Sequence, residues 1–94
     1  MVLEIKSIRK KIIPILRKNH VKKASLFGSY ARGDQKKTSD VDILIEAPKG
    51  IGLGFVELKL ELEKSLGKRV DLLTYKSIHP YLKKSILESE VRIL

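Results

Sequence analysis

The segment that decides the fold runs from residue 26 to residue 45 and reads LFGSYARGDQKKTSDVDILI. It begins apolar, breaks at Gly28-Ser29, crosses a polar loop and returns at Asp40-Val41-Asp42 before a second apolar run. Side chains alternate along a β-strand, so Asp40 and Asp42 share one face while Val41 points to the other. Two neighbouring carboxylates repel each other unless a cation lies between them. The pattern therefore predicts a divalent cation site, and carboxylate oxygens suit Mg²⁺.

The break at Gly28-Ser29 predicts a phosphate-binding turn. A glycine at the end of a strand permits a tight turn and leaves room for a phosphate to approach the backbone. A short helix beginning at Ser29 would present free N–H groups and the positive end of its dipole to an anion. A phosphate cradle next to metal-binding carboxylates is typical of phosphoryl or nucleotidyl transfer from a Mg²⁺-bound triphosphate.

These residues resemble a known signature. Gly28-Ser29-Tyr30-Ala31-Arg32-Gly33 followed by Ser39-Asp40-Val41-Asp42 resembles the G-S-x-x-x-G…S-D-x-D pattern of the DNA polymerase beta-like nucleotidyltransferase superfamily. The small size and the GSYARGD spelling resemble its minimal nucleotidyltransferases (MNT proteins), typically encoded beside a HEPN-domain partner as toxin–antitoxin pairs. The resemblance extends to a third carboxylate at Asp71 and implies the nucleotidyltransferase fold.

The resemblance also implies a role for each of these carboxylates. In the superfamily three carboxylates hold two Mg²⁺ ions, so Asp40 and Asp42 would contact both ions. Asp71 would hold the ion that activates the attacking hydroxyl. Two such ions, roughly 4 Å apart, stabilise both the incoming oxygen and the leaving pyrophosphate.

The nucleotide contacts implied by the resemblance lie in the preceding turn. Gly28 and Ser29 would grip the terminal phosphates of ATP through backbone N–H groups and the Ser29 hydroxyl. Arg32 is predicted to bind the triphosphate, with a surface pair to Asp34 as the open alternative. Tyr30 is equally consistent with a core residue and with a functional residue of the site.

The resemblance further implies an acceptor on another chain, because larger relatives carry an additional acceptor-binding domain and this chain ends soon after Asp71. The function it favours is an antitoxin that transfers AMP from ATP to a hydroxyl of its cognate HEPN ribonuclease toxin. Two alternatives stay open. One is a catalytically idle antitoxin that works by binding alone; the other is the catalytic subunit of a small-molecule or RNA nucleotidyltransferase.

Size and composition bound the remaining possibilities. The chain of 94 residues predicts one domain, 1–94, and the absence of cysteine excludes disulfides and thiolate metal sites, which favours a cytoplasmic location. No apolar run has membrane-spanning length, so no membrane association is expected. The net charge is +9, and residues 1–23 carry eight Lys/Arg against Glu4 alone. This basic segment predicts a solvated helix face, while direct nucleic-acid binding stays open.

Hydrophobic periodicity and turn residues predict an α/β (α+β) fold, a small mixed β-sheet flanked by helices. Apolar residues from Leu3 to Leu16 recur at helical spacing, with Pro14 either kinking this helix or opening a second one. A helix between two strands favours a parallel pair, whereas the first two strands are expected to be antiparallel. The predicted strands are 21–27, 41–46 and 70–75, and the later helices are 29–32, 55–66 and 77–88, the last with Ser77 as its N-cap.

Some apolar residues have no evident place in this scheme. Ile51, Leu53 and the tail 91–94 lack an obvious internal use, and exposed apolar groups mark interaction surfaces. They are therefore predicted to contact a partner protein.

Overall fold

The computed structural model describes residues 4–94, and the predicted elements occur in the predicted order. Leu3, predicted to open the first helix, lies outside the described residues. In chain order the elements are helix α1 (Ile5–Lys18), strand β1 (Ala24–Phe27), helix α2 (Gly28–Arg32), strand β2 (Val41–Ile45), helix α3 (Gly54–Leu66), strand β3 (Val70–Thr74), a 3₁₀ turn (Tyr75–Ser77), helix α4 (Pro80–Ser89) and strand β4 (Val91–Arg92).

The strands form one mixed sheet in the order β3-β2-β1-β4. β2 and β3 are parallel, whereas β1 is antiparallel to both β2 and β4. Both predicted orientations are confirmed, since α3 supplies the crossover that a parallel pair requires. This mixed sheet flanked by helices confirms the predicted fold class.

The C-terminal tail corrects the prediction for residues 91–94. These residues form β4 and the end of the chain, which pair with β1: Leu26 lies opposite Val91, and the Ile93 N–H donates to the Ala24 carbonyl at 2.9 Å. Ile93 is 4% exposed and belongs to the core. The tail is therefore structural, because β1 needs a second neighbour to satisfy its backbone groups.

The other two residues predicted to contact a partner, Ile51 and Leu53, lie in the loop before α3 and differ in burial. Ile51 packs against the core, which contradicts that prediction, whereas Leu53 is 84% exposed. Val56 and Leu60, which follow Leu53 at helical spacing on the outer side of α3, are also exposed.

The main core lies between one face of the sheet and the helices α1 and α3. Val41, Ile43 and Ile45 of β2 alternate toward this face and are completely buried, each burial stabilising the fold by about 1.5–3 kcal/mol. No helix within residues 4–94 is long and apolar enough to span a bilayer. The helices contribute their buried faces to this core through Ile8, Ile12 and Leu16 of α1 and Leu58, Leu62 and Leu66 of α3.

α1 is one continuous helix, so Pro14 neither ends it nor begins another. Pro14 is exposed, where water can hydrogen-bond the carbonyl that lacks a partner. The helix ends at Asn19-His20, where the N–H groups of His20 and Val21 donate back to α1 at 3.0 and 2.9 Å. His20 adopts φ 63°, a left-handed conformation that usually belongs to glycine at this position.

The opposite face of the sheet has a smaller core made by Phe27, Leu44 and Ile78. α4 approaches this face, and its N-cap is His79, whose Nδ1 accepts from the Tyr81 N–H at 3.2 Å. The prediction of Ser77 as the N-cap is wrong. Ser77 instead forms a reciprocal capping box with Thr74 in the 3₁₀ turn, because the chain bends once more before α4 begins.

Candidate active site

The parallel register of β2 and β3 brings together two carboxylates that are far apart in sequence. Asp42 is the direct partner of Asp71, on strands that neighbour each other at about 4.8 Å. Asp40 lies just before β2 and is exposed. All three predicted metal ligands are therefore at the amino-terminal end of this strand pair.

Glu63 on α3 fixes the strand that carries Asp71, a role that the sequence analysis missed. Its Oε2 accepts from the Val70 N–H at 2.9 Å, so α3 is joined to the first residue of β3. Next to it, the Val41 N–H donates to the Arg69 carbonyl at 3.0 Å and begins the parallel ladder. Glu63 lies seven residues before Val70, a separation that no local sequence rule associates with a hydrogen bond.

Gly28 lies directly against the carboxylate of Asp42. Phe27 is the cross-strand partner of Asp42, and Gly28 follows with φ 69°. A Cβ at position 28 would lie 2.0 Å from Oδ2 of Asp42, far inside contact distance. Two demands therefore select glycine here: the left-handed backbone and the space that the Asp42 side chain occupies.

α2 begins at Gly28, one residue earlier than predicted, and ends at Gly33, whose φ is 81°. Ser29 is half-buried in its first turn, where backbone N–H groups lack partners within the helix. Tyr30 is completely buried and belongs to the core, and its hydroxyl has no hydrogen-bond partner among the described residues. The core interpretation of Tyr30 is the one that this burial supports.

Arg32 is exposed and forms an ion pair with Asp34, its Nε lying 3.2 Å from Oδ2. The same guanidinium lowers the pKa of Asp42 electrostatically, so its charge reaches the carboxylate site. Arg32 therefore both pairs with Asp34 at the surface and acts electrostatically on Asp42. Exposed ion pairs contribute little to stability, which leaves Arg32 able to exchange Asp34 for a stronger anion.

Asp42 is the electrostatic centre of the site. Its half-buried position and the neighbouring charges of Asp71 and Asp40 together raise its pKa to about 6, against the opposing effect of Arg32. Holding this carboxylate ionised near pH 7 therefore costs free energy in the folded protein. Such a group gains most from a cation placed among the three carboxylates.

The donor chemistry of this site suits Mg²⁺, although the side chains do not converge on one point. Within residues 4–94, no three Asp, Glu, His or Cys side chains are grouped tightly enough to hold a metal ion. The backbone nevertheless places Asp40, Asp42 and Asp71 at one end of two adjacent strands. Carboxylates are hard oxygen ligands of the type that Mg²⁺ uses together with substrate phosphates and water.

A three-layered arrangement of helices and mixed sheet, with a glycine turn against a carboxylate pair, defines a nucleotidyltransferase. The chain belongs to the nucleotidyltransferase domain family, whose match spans residues 9–93. It is similar to a protein of Methanocaldococcus jannaschii named Putative protein adenylyltransferase MJ0435, with 58% identity over 93 residues that cover 98% of this chain and 100% of that protein.

Solved structures extend this likeness to minimal nucleotidyltransferases. A chain of a toxin–antitoxin crystallised with AMP-PNP has a TM-score of 0.79 and 30% identity, covering 92% of this chain and 72% of that chain. A chain from a tri-AMPylated Shewanella oneidensis HEPN toxin in complex with MNT antitoxin has a TM-score of 0.73 and 26% identity, covering 95% of this chain and 71% of that chain. The resemblance drawn from the sequence is confirmed.

Proposed function

We propose that this protein is a Mg²⁺-dependent adenylyltransferase and the antitoxin of a HEPN-domain toxin, to which it transfers AMP from ATP. The observation that carries the proposal is the strand register that sets Asp42 beside Asp71 with Gly28 against the Asp42 carboxylate. The relatives support the choice of reaction: the M. jannaschii protein is named an adenylyltransferase, and the S. oneidensis toxin is AMPylated in its complex.

In this proposal the site residues have the roles that the resemblance implies. Gly28 and Ser29 bind the terminal phosphates of ATP through the backbone N–H groups at the start of α2, which lack partners within that helix. Arg32 adds positive charge to the triphosphate. Asp40, Asp42 and Asp71 would hold two Mg²⁺ ions, which supply charge neutralisation for the triphosphate and the leaving pyrophosphate.

The transfer itself is a substitution at the α-phosphorus of ATP. The acceptor hydroxyl oxygen forms a bond to the α-phosphorus while the bond from that phosphorus to the bridging oxygen breaks. Pyrophosphate leaves, and the hydroxyl proton passes to solvent. The protein contributes positioning and electrostatic stabilisation, which are the main sources of catalysis in transfers of this kind.

The whole chain, 1–94, acts in this proposal as a single nucleotidyltransferase domain, and the partner supplies the acceptor. We propose a tyrosine side chain of the HEPN protein as that acceptor, presented to the Asp40, Asp42 and Asp71 site. The basic face of α1 steers the docking electrostatically.

The test is to mix the purified HEPN-domain partner with this protein, Mg²⁺ and ATP, and to measure the intact mass of the partner. We expect one or more added AMP units with the wild-type protein and none with Asp40→Asn. A matched control is Lys10→Gln, an exposed change on α1 remote from the carboxylates, which should leave the mass increase unchanged at saturating protein.

The outcomes separate the candidate functions. If the partner's mass never changes but its ribonuclease activity is still suppressed, the protein is an antitoxin that acts by binding alone. If neither mass nor ribonuclease activity changes, the partner assignment is wrong and the nucleotidyltransferase serves another acceptor.

A further inference from the structure

One cavity lies at the other end of β2 and β3, away from the carboxylates, and a second, smaller one lies beside the end of α1. The larger has a volume of about 650 Å³ and the smaller about 320 Å³, and both are lined by His20 and Lys22. Ile45 and Thr74 line the larger cavity and are the last residues of their strands. They are three residues beyond Asp42 and Asp71, roughly 10 Å along the strands. The cavities are thus separate from the nucleotidyltransferase site.

The charge of these cavities is strongly positive. Lys22, Lys49 and Lys76 line the larger cavity and Arg17 lines the smaller one, against Glu46 as the acidic group among the described lining residues. The three lysines are exposed at the cavity rim. Lysines spaced around a concave surface act as point charges for a chain of phosphates.

The floor of the larger cavity is apolar and partly aromatic. Ala47 and Pro48 contribute aliphatic surface beside the ring of Tyr75. The Tyr75 hydroxyl is 2.7 Å from Ser25 Oγ and donates to Glu90 Oε2 at 3.1 Å, which fixes the ring in place. The Nζ of Lys23 lies 4.4 Å from the centre of that ring. Lys23 lies over the ring face, which is the position that a nucleic-acid base stacking on Tyr75 would take in its place.

His20 adds a feature that the fold alone does not require. It lines both cavities and occupies the left-handed position that ends α1, with φ 63°. Glycine meets this backbone geometry without strain, whereas a histidine does not. The imidazole therefore stands between the two cavities at an energetic cost that its ring can offset by contacting a ligand.

We propose that the two cavities together bind a short single-stranded oligonucleotide, with phosphates on Arg17, Lys22, Lys49 and Lys76 and bases on the Tyr75 side. Two neighbouring cavities that share His20 and Lys22 in their linings fit an extended chain better than one compact anion. Alternating charge and apolar surface matches the alternation of phosphate and base. Neither this site nor its test depends on the nucleotidyltransferase reaction.

The experiment measures fluorescence anisotropy of a labelled twelve-residue oligouridine, and of the matching oligothymidine, titrated with the full chain at several salt concentrations. The key variant is Lys22→Gln/Lys49→Gln/Lys76→Gln. Its control is Lys6→Gln/Lys10→Gln/Lys11→Gln, which removes the same charge from the exposed face of α1. Circular dichroism checks that both variants fold.

We expect the cavity variant to bind at least tenfold more weakly and the α1 variant to lose less than threefold. The slope of log affinity against log salt concentration should fall by about two in the cavity variant, as the loss of its three phosphate contacts requires. Tighter binding of the oligouridine identifies RNA as the ligand; equal binding leaves both nucleic acids as ligands. Equal losses in the two triple variants, or no binding by the wild-type chain, overturn the proposal. So does inorganic polyphosphate that competes as well as the oligonucleotide at equal phosphate concentration, since bases then contribute nothing.

Discussion

β2 and β3 begin among carboxylates and end among lysines. At the amino-terminal end, Asp42 and Asp71 are neighbours in register and Gly28 lies against the Asp42 side chain. At the carboxyl-terminal end, Lys49 and Lys76 line an open cavity beside Ile45 and Thr74. One short pair of strands therefore has the three carboxylates at one end and a cavity lined by lysines at the other.

The two ends differ in how their charges are held. Asp42 is half-buried beside like charges, and its raised pKa shows that the fold opposes its ionised form. The lysines at the other end are exposed, where water solvates them at little cost. A site that does chemistry requires fixed and strained groups, whereas a surface that binds a polyanion requires mainly charge density.

The largest expected effect is the loss of AMP transfer in Asp42→Asn. We expect a fall of more than about a hundredfold, because the central carboxylate would contribute several kcal/mol of charge stabilisation through the bound metal. The rate of AMP incorporation at saturating partner measures it, with Lys10→Gln as the control, because saturation removes any effect of α1 on docking. A variant that retains wild-type transfer and normal Mg²⁺ dependence would contradict the role assigned to Asp42.

The next largest effect is expected at Gly28, whose Cβ position is occupied by a neighbouring side chain, in comparison with Gly67, whose Cβ position is free. Gly28→Ala should lower the free energy of unfolding by about 3 kcal/mol and weaken ATP binding, since the new Cβ meets both the left-handed backbone and the Asp42 carboxylate. Gly67→Ala is the matched control, because Gly67 has φ 66° but nothing within 4 Å of its Cβ position. We expect it to lose about 1 kcal/mol, from backbone strain alone.

Chemical denaturation and calorimetric titration with ATP measure the two glycine variants. If they lose equal stability, the close contact between Gly28 and Asp42 does not constrain the fold. If Gly28→Ala binds ATP as the wild type does, the phosphates lie elsewhere.

A smaller effect concerns stability and pH at the acidic end. The folded pKa of Asp42, about 6, exceeds the 3.8 of an unperturbed aspartate, so ionisation destabilises the fold above pH 6 and this penalty disappears below about pH 4. Asp42→Asn should therefore be more stable than wild type by about 1 kcal/mol at pH 7.5, after allowance for partial solvent screening. Thermal unfolding from pH 4 to 7.5 measures the difference, which should vanish at the low end. A constant difference across that range would assign the gain to packing.

The smallest effect is expected at the basic end. His20→Gly should raise the free energy of unfolding by about 0.5 kcal/mol, because glycine removes strain at the end of α1 but is more flexible when unfolded. It should also weaken oligonucleotide binding by losing the imidazole. His20→Ala is the control: the same loss of binding, without the gain in stability. Oligonucleotide affinity unchanged in both variants would show that the histidine makes no contact with the ligand.

The sequence alone was sufficient for the fold class and for the family. The 26–45 segment combines a glycine turn with an alternating acidic strand, and both are local patterns that read directly from residue order. The order of elements and both strand orientations followed from hydrophobic periodicity and from the crossover helix. The assignments of Asp40, Asp42, Asp71, Gly28, Ser29 and Arg32 as catalytic or binding groups stay predictions, now with defined positions.

The features that the sequence did not determine arise from contacts between distant segments. β4 is too short for periodicity to identify, and its pairing with β1 decides that Ile93 is buried and that Val91 and Leu94 are partly buried. Ser77 has the chemistry of an N-cap, but the capping box with Thr74 places it one turn too early. In both cases the local sequence pattern was recognised, but tertiary packing gave the residues a different structural role.

The sequence by itself determined which residues carry charge and where the chain turns, because these are properties of side chains and of neighbouring backbone. Only the tertiary structure decided that Asp42 faces Asp71 and Gly28, and that Lys22, Lys49 and Lys76 surround one cavity. The physical reason is that strand register and loop closure depend on the burial of the whole core. That burial joins residues whose separation in sequence carries no signal of their proximity.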